Sequence, residues 1–152
     1  MSYIKDQFQL VRTSLLKEIE SIDSSLFDIQ PTGFNNTIHW HIGHVLTTGE
    51  TFLLGYPNSD KLPSNYATLF GYGSKPSEWN GEVPSVEELV QQLKDQLNRL
   101  LAIPNEQFSA KLEQPFLGMN TVEGIANLLV VHESNHIGQI HAMKLIIEST
   151  KK

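Results

Sequence analysis

The chain has 152 residues, 39% of them hydrophobic and 18% charged, with a formal net charge of −6 and no cysteine. That size and balance predict one globular domain over residues 1–152, large enough to bury a core. The acidic charge argues against a nucleic-acid partner, and the missing cysteines exclude thiolate metal ligation, a catalytic cysteine and a disulfide framework.

No charged start followed by an apolar run opens the sequence, and no apolar stretch approaches the roughly 20 residues of a spanning helix. A cytoplasmic protein without a membrane partner is therefore expected. Residues 2–23 carry Ile4, Phe8, Val11, Leu15, Ile19 and Ile22 at helical spacing, which predicts a first amphipathic helix. A linker rich in Ser, Asp, Pro and Gly covers 21–36. Asn35, Asn36 and Thr37 are candidate caps for a second helix that reaches about Leu54 and ends at Gly55-Tyr56-Pro57.

Residues 56–84 form the longest irregular stretch, with one short helical turn expected over Tyr66–Phe70. A connection of this length within a compact domain is often functional. Ser85-Val-Glu-Glu88 is a capping box. It opens a third helix, with Val86, Leu89, Leu93, Leu97 and Leu100 on one face, ending before Pro104. A second connection covers 105–120, with turns at Pro115 and Gly118. Asn120-Thr-Val-Glu123 reads as another capping box, and the fourth helix runs from there to about Ser149. Gly124 and Gly138 weaken it by about 1 kcal/mol each relative to alanine and offer close approach to a neighbour. No alternating pattern argues for a sheet. The expectation is an all-α four-helix bundle with long crossover connections, running up-down-down-up.

Five of the six histidines fall in two short windows: His39, His41 and His44, and His132 with His136. His132 and His136 are four residues apart, so on a helix they stack on one face. They lie in the stripe Ile125, Leu129, His132, His136, Ile140, Met143, Ile147, which faces the core. Buried imidazoles need a polar partner or a metal. His44, deepest in the second helix, is the preferred third member. Three neutral imidazoles around a divalent ion leave positions open for water or substrate, the pattern of a reactive site. Zinc suits such a site; nickel, iron and manganese are alternatives. His41 is a fourth ligand or a hydrogen-bonding support. His39 and His141 read as structural residues; His141 sits about 140° round the helix from His136.

His132-Glu-Ser-Asn-His136 also matches the H-E-x-x-H peptidase motif. The extended form does not follow, because Gly138 and His141 each come one residue too early, and no sheet edge is expected that could bind an extended peptide. Glu133 is adjacent to His132 rather than stacked on it. It is a candidate catalytic base acting through water, an orienting group for a histidine, or a solvated side chain, the last being slightly favoured. Trp40, Tyr66, Phe70, Tyr72 and Trp79 are candidate pocket residues, each read first as core. The loops at 56–84 and 105–120 are expected to shape the pocket.

The segments Asn36-Thr-Ile-His-Trp-His-Ile-Gly-His44-Val and His132-Glu-Ser-Asn-His136-Ile-Gly-Gln-Ile140 resemble the DinB-like (DinB/YfiT) superfamily over essentially the whole chain. The resemblance implies a four-helix bundle with a divalent metal held by His44, His132 and His136, and often a homodimer. Relatives with assigned activity are thiol-dependent transferases or isomerases that use bacillithiol, mycothiol or glutathione; others carry only a metal-dependent hydrolase label. Three functions are thus expected to compete. The leading one is a transferase that joins a low-molecular-weight thiol to a small electrophile at the three-histidine site. The others are a hydrolase using metal-bound water, and a non-catalytic, dimeric, stress-related binding protein.

Overall fold

The structure, a computed structural model, describes residues 2–151; Met1 and Lys152, the ends of the expected domain, lie outside them. Four long helices form: α1 (Ile4–Glu20), α2 (Ile38–Leu53), α4 (Val86–Leu101) and α6 (Val122–Thr150). Two short ones, α3 (Tyr66–Phe70) and α5 (Asn105–Phe108), sit in the connections. The caps agree with the sequence at α4, where the Ser85 hydroxyl accepts from the Glu88 N–H at 3.1 Å. Of the three candidates before α2, Thr37 is the cap, its hydroxyl accepting from the Trp40 N–H. At α6 the cap shifts by one residue, from Asn120 to Thr121, the last residue of a strand, whose hydroxyl accepts from the Gly124 N–H.

The absence of a sheet was not the right expectation. β1 (Lys111–Phe116) and β2 (Met119–Thr121) pair antiparallel, with Phe116 opposite Met119. β1 does not alternate because it is exposed along almost its whole length. Burial on one face, the source of a period-two pattern, is missing. Leu117 and Gly118 close the hairpin, both with positive φ (50° and 82°), a two-residue turn that matches the twist of the strands.

Each long helix packs on two others: α6 on α1 and α2, and α4 on α2 and α1. Side-chain pairs give the directions. Arg12 meets Glu133 and Glu18 meets His141, so α1 and α6 run parallel. His41 meets His136 and His44 meets His132, so α2 and α6 are antiparallel. The Leu46 carbonyl meets Gln96 and Glu50 meets Arg99, so α2 and α4 are parallel. The bundle is therefore up-down-down-up, and α1→α2 and α4→α6 are diagonal crossings.

The apolar interior divides into two clusters. One holds Leu15, Ile19, Ile42, Leu46, Leu93 and Ile140 with the 56–70 connection; the other holds Phe8, Leu100, Phe108, Ile125 and Leu129. Between them lies a buried polar layer. Arg12 Nε and Nη2 donate to the two Glu133 oxygens at 2.7 and 3.1 Å, and Nη1 donates to the Leu93 carbonyl at 2.7 Å. Gln96 accepts from Arg12 Nη2 and donates to the Leu46 carbonyl and to Glu50, whose carboxylate also takes both Arg99 Nη groups. One residue or more from every long helix enters this layer. Its hydrogen bonds satisfy charges that would otherwise be costly to bury. Among the described residues, no helix is long and apolar enough to cross a membrane.

Candidate metal centre

Antiparallel packing of α2 on α6 brings the two histidine windows together. His132 and His136 stack one turn apart, with ring centroids 4.4 Å apart. His132 Nε2 lies 3.1 Å from His44 Nε2 and 3.0 Å from His136 Nε2. One ring nitrogen from each of the three lies within 4.8 Å of the others. Nitrogens bound at about 2.0–2.1 Å to one ion stand about 2.9–3.4 Å apart for octahedral to tetrahedral angles. The two separations from His132 fit that range, and the His44 and His136 nitrogens lie within 4.8 Å of each other.

Hydrogen bonds behind the rings decide which nitrogens carry protons. His44 Nδ1 faces the Phe70 carbonyl at 2.7 Å, so Nδ1 donates and Nε2 is left with a free lone pair. His41 Nε2 faces Asn36 Oδ1 at 3.0 Å and must donate to it. His41 Nδ1 then accepts from His136 Nδ1 at 2.7 Å, and His136 Nε2 is bare as well. The relay Asn36–His41–His136 sets the tautomer of its last ring. His132 Nε2 thus sits between two bare nitrogens and, with a single proton, can satisfy only one of them. A cation at the centre satisfies all three, and the donor set suits a divalent metal.

Electrostatics keep the cluster in its binding form. Burial, then the charge of the neighbouring imidazoles, pushes His41 and His132 down to about 4 and His136 to about 2. Burial also lowers His44, opposed by its bond to Phe70. Neutral imidazoles are what a metal requires. Trp40 stacks flat on the His44 ring at 4.6 Å and is itself held by an indole N–H bond to Ser74 Oγ. Gly43 is a packing requirement: a Cβ there would stand 2.3 Å from the Phe70 ring. Only glycine lets α3 come close enough for the Phe70 carbonyl to reach His44.

His41 is placed behind the cluster as a support, since both its nitrogens are taken by Asn36 and His136. His39 ties Asp28 to the Pro84 carbonyl, and His141 pairs with Glu18 at the surface. Glu133 is not solvated: it is 3% exposed, with both oxygens on Arg12. Tyr66 and Phe70 are core, and Trp79 packs edge-on against His39 and Phe70. Of the two glycines in α6, Gly124 admits Met119 of the hairpin, whereas Gly138 faces open space.

The sequence reading missed Arg12, Glu50 and Gln96. Each occupies a core position in its own helical stripe, as Glu133 does: Phe8-Arg12-Leu15, Leu46-Glu50-Leu53, Leu93-Gln96-Leu100 and Leu129-Glu133-His136. A polar residue in the stripe of all four helices was the available signal.

A cavity of about 810 Å³ opens beside His44 and His132. Thr47, Thr48 and Thr51 of α2, Leu128 and Leu129 of α6 and the hairpin tip contribute to its wall. Of the candidate aromatics only Tyr72 lines it, but both long connections shape it, through Ala67, Gly71 and Tyr72 and through Phe116 and Leu117. No Asp, Glu, Lys or Arg is among its lining residues.

The sequence model of the DinB superfamily matches residues 7–140. A solved structure of a conserved protein from Enterococcus faecalis is similar in fold, with a TM-score of 0.66 at 13% identity over 95% of each chain. No curated protein matches the sequence.

Proposed function

The chain belongs to the DinB superfamily, and on that premise we propose that it is a divalent-metal-dependent transferase joining a low-molecular-weight thiol to a small electrophile. His44, His132 and His136 would hold the ion, with zinc the first choice and nickel, iron or manganese as alternatives. When bound, such an ion lowers the pKa of a coordinating thiol or water and so supplies the nucleophile. The protein's part is to hold three ring nitrogens at one point, to keep the rings neutral, and to open His44 and His132 onto a cavity. His41 and Asn36 fix His136, while Phe70, Gly43 and Trp40 fix His44. In the transfer, the thiol sulfur bonds to the electrophilic carbon, the leaving group departs with its electron pair, and the thiol proton goes to solvent.

The observation that carries the choice of thiol transfer is the three-histidine cluster opening, through His44 and His132, onto a cavity whose lining has no carboxylate or lysine. Hydrolysis of an ester or amide profits from an acid that protonates the leaving group. Glu133, the nearest candidate in sequence, is held by Arg12. Thiol transfer to a good electrophile needs no such group. With bacillithiol or glutathione and a model electrophile, conjugation should require added metal and vanish in His136→Ala. Equal rates for variant and wild type would end this reading. Turnover of small esters or amides without thiol would favour the hydrolase. A protein purified without a His tag that takes up no divalent ion on back-titration would favour the non-catalytic binding role. The proposal extends to a homodimer, tested by sedimentation, and to the cytoplasm, where such thiols are kept reduced.

A further inference from the structure

We propose that the site takes an uncharged electrophile with an extended apolar body, the reactive head at His44 and His132 and the tail under the hairpin tip. The inference rests on the metal reading for its head group and on the cavity for its tail. A volume of about 810 Å³ is in the upper part of the range for sites that enclose a drug-sized ligand. A small electrophile alone would leave most of it empty, and the carboxylates of a thiol such as glutathione meet no Lys or Arg along its wall. Two of the three threonines on its wall are less polar than their names suggest. Thr47 donates its hydroxyl to the Gly43 carbonyl and Thr51 donates to the Thr47 carbonyl, each at 2.8 Å. With those protons turned back to the helix and no charged residue lining the cavity, its wall is mainly apolar, with polar groups left at the histidines, Thr48 and Tyr72.

The hairpin tip is the second observation. Leu117 is 74% exposed and holds φ at 50°, a left-handed conformation in a turn that favours Asn or Gly. An exposed leucine in that backbone gains nothing from the fold. Yet it lines the cavity, beside the half-exposed Phe116 and Phe52, whose rings lie 5.1 Å apart. Apolar side chains held at a cavity mouth against local preference mark a surface that covers something apolar.

Calorimetry on the metal-loaded protein with two homologous series, 1-alkanols and n-alkylhydroxamates, tests this without turnover. Affinity should rise about three- to fourfold per added methylene in both series, and hydroxamates should outbind alkanols only when metal is present. Leu117→Asn, which suits the turn, should weaken the longest chains several-fold while leaving metal uptake and short-chain binding unchanged. No dependence on chain length would overturn the inference. So would a Leu117→Asn protein that turns from dimer to monomer with its chain-length dependence intact, since the tip would then be an interface between copies. Chain-length dependence without any hydroxamate advantage would leave the apolar cavity standing and remove the metal chemistry proposed above.

Discussion

His41 shows how one residue prepares another. It touches His136 with one nitrogen and Asn36 with the other, so its contribution to a metal site is to set a tautomer. His41→Ala should therefore lower divalent-metal affinity about 10- to 100-fold, the usual cost of losing such a support, without unfolding the protein; metal titration followed by circular dichroism checks both. Glu133 makes the opposite case. Its sequence neighbour is a ligand candidate, but its carboxylate belongs to the polar layer of the bundle. Removing its partner leaves a buried charge, so Arg12→Ala should cost about 3–5 kcal/mol in urea unfolding. Glu133→Gln should lower stability while leaving the conjugation rate constant within a few-fold; loss of turnover with unchanged metal uptake would return Glu133 to the reaction.

At the level of the elements, two glycines of similar appearance have different fates. Gly43 lies on α2 against the ring of Phe70, whereas Gly138 on α6 faces open space. Gly43→Ala overpacks the α2–α3 contact, at a cost of about 1–3 kcal/mol. It also pushes the Phe70 carbonyl away from His44, so metal affinity should fall with stability. Gly138→Ala relieves a helix interior of glycine and should raise stability by up to about 1 kcal/mol with no change in metal binding. Thermal unfolding and metal titration of the two variants separate a packing role from a merely permissive one. The hairpin belongs to this scale as well. Its strands carry almost no burial pattern, and its position becomes meaningful only where Phe116 and Leu117 reach the cavity.

Across the whole molecule, the four coupled imidazoles link stability to pH. His41, His44, His132 and His136 all protonate less readily folded than at the pKa of about 6.5 of an unfolded chain. Below that pH, unfolding takes up protons, so stability falls with pH from about 6.5 towards 4 and below. The metal-free protein should accordingly melt at a lower temperature at pH 5 than at pH 7.5. His132→Ala/His136→Ala should flatten that slope. Added zinc should raise the melting temperature at pH 7.5 and lose most of that effect at pH 5, because protons compete for the same nitrogens.

The four long helices, their approximate ends and the histidine pair on α6 were legible in the chain, because helical periodicity and caps are written in residues three and four apart. So was the partnership of His44 with that pair, since three histidines at core positions on two helices have few ways to be satisfied. Other features depend on groups that meet only when the bundle closes. The bonds that turn Nε2 inward join Asn36 to His41, His41 to His136 and Phe70 to His44. The ion pair that removes Glu133 from the cavity spans 121 positions. The cap of α6 and the hairpin before it follow from strand pairing, which a weakly patterned segment does not announce. Local spacing determined which side chains could serve; the antiparallel docking of α2 on α6 decided which nitrogens face each other, because tautomer, burial and charge are set by neighbours distant in sequence.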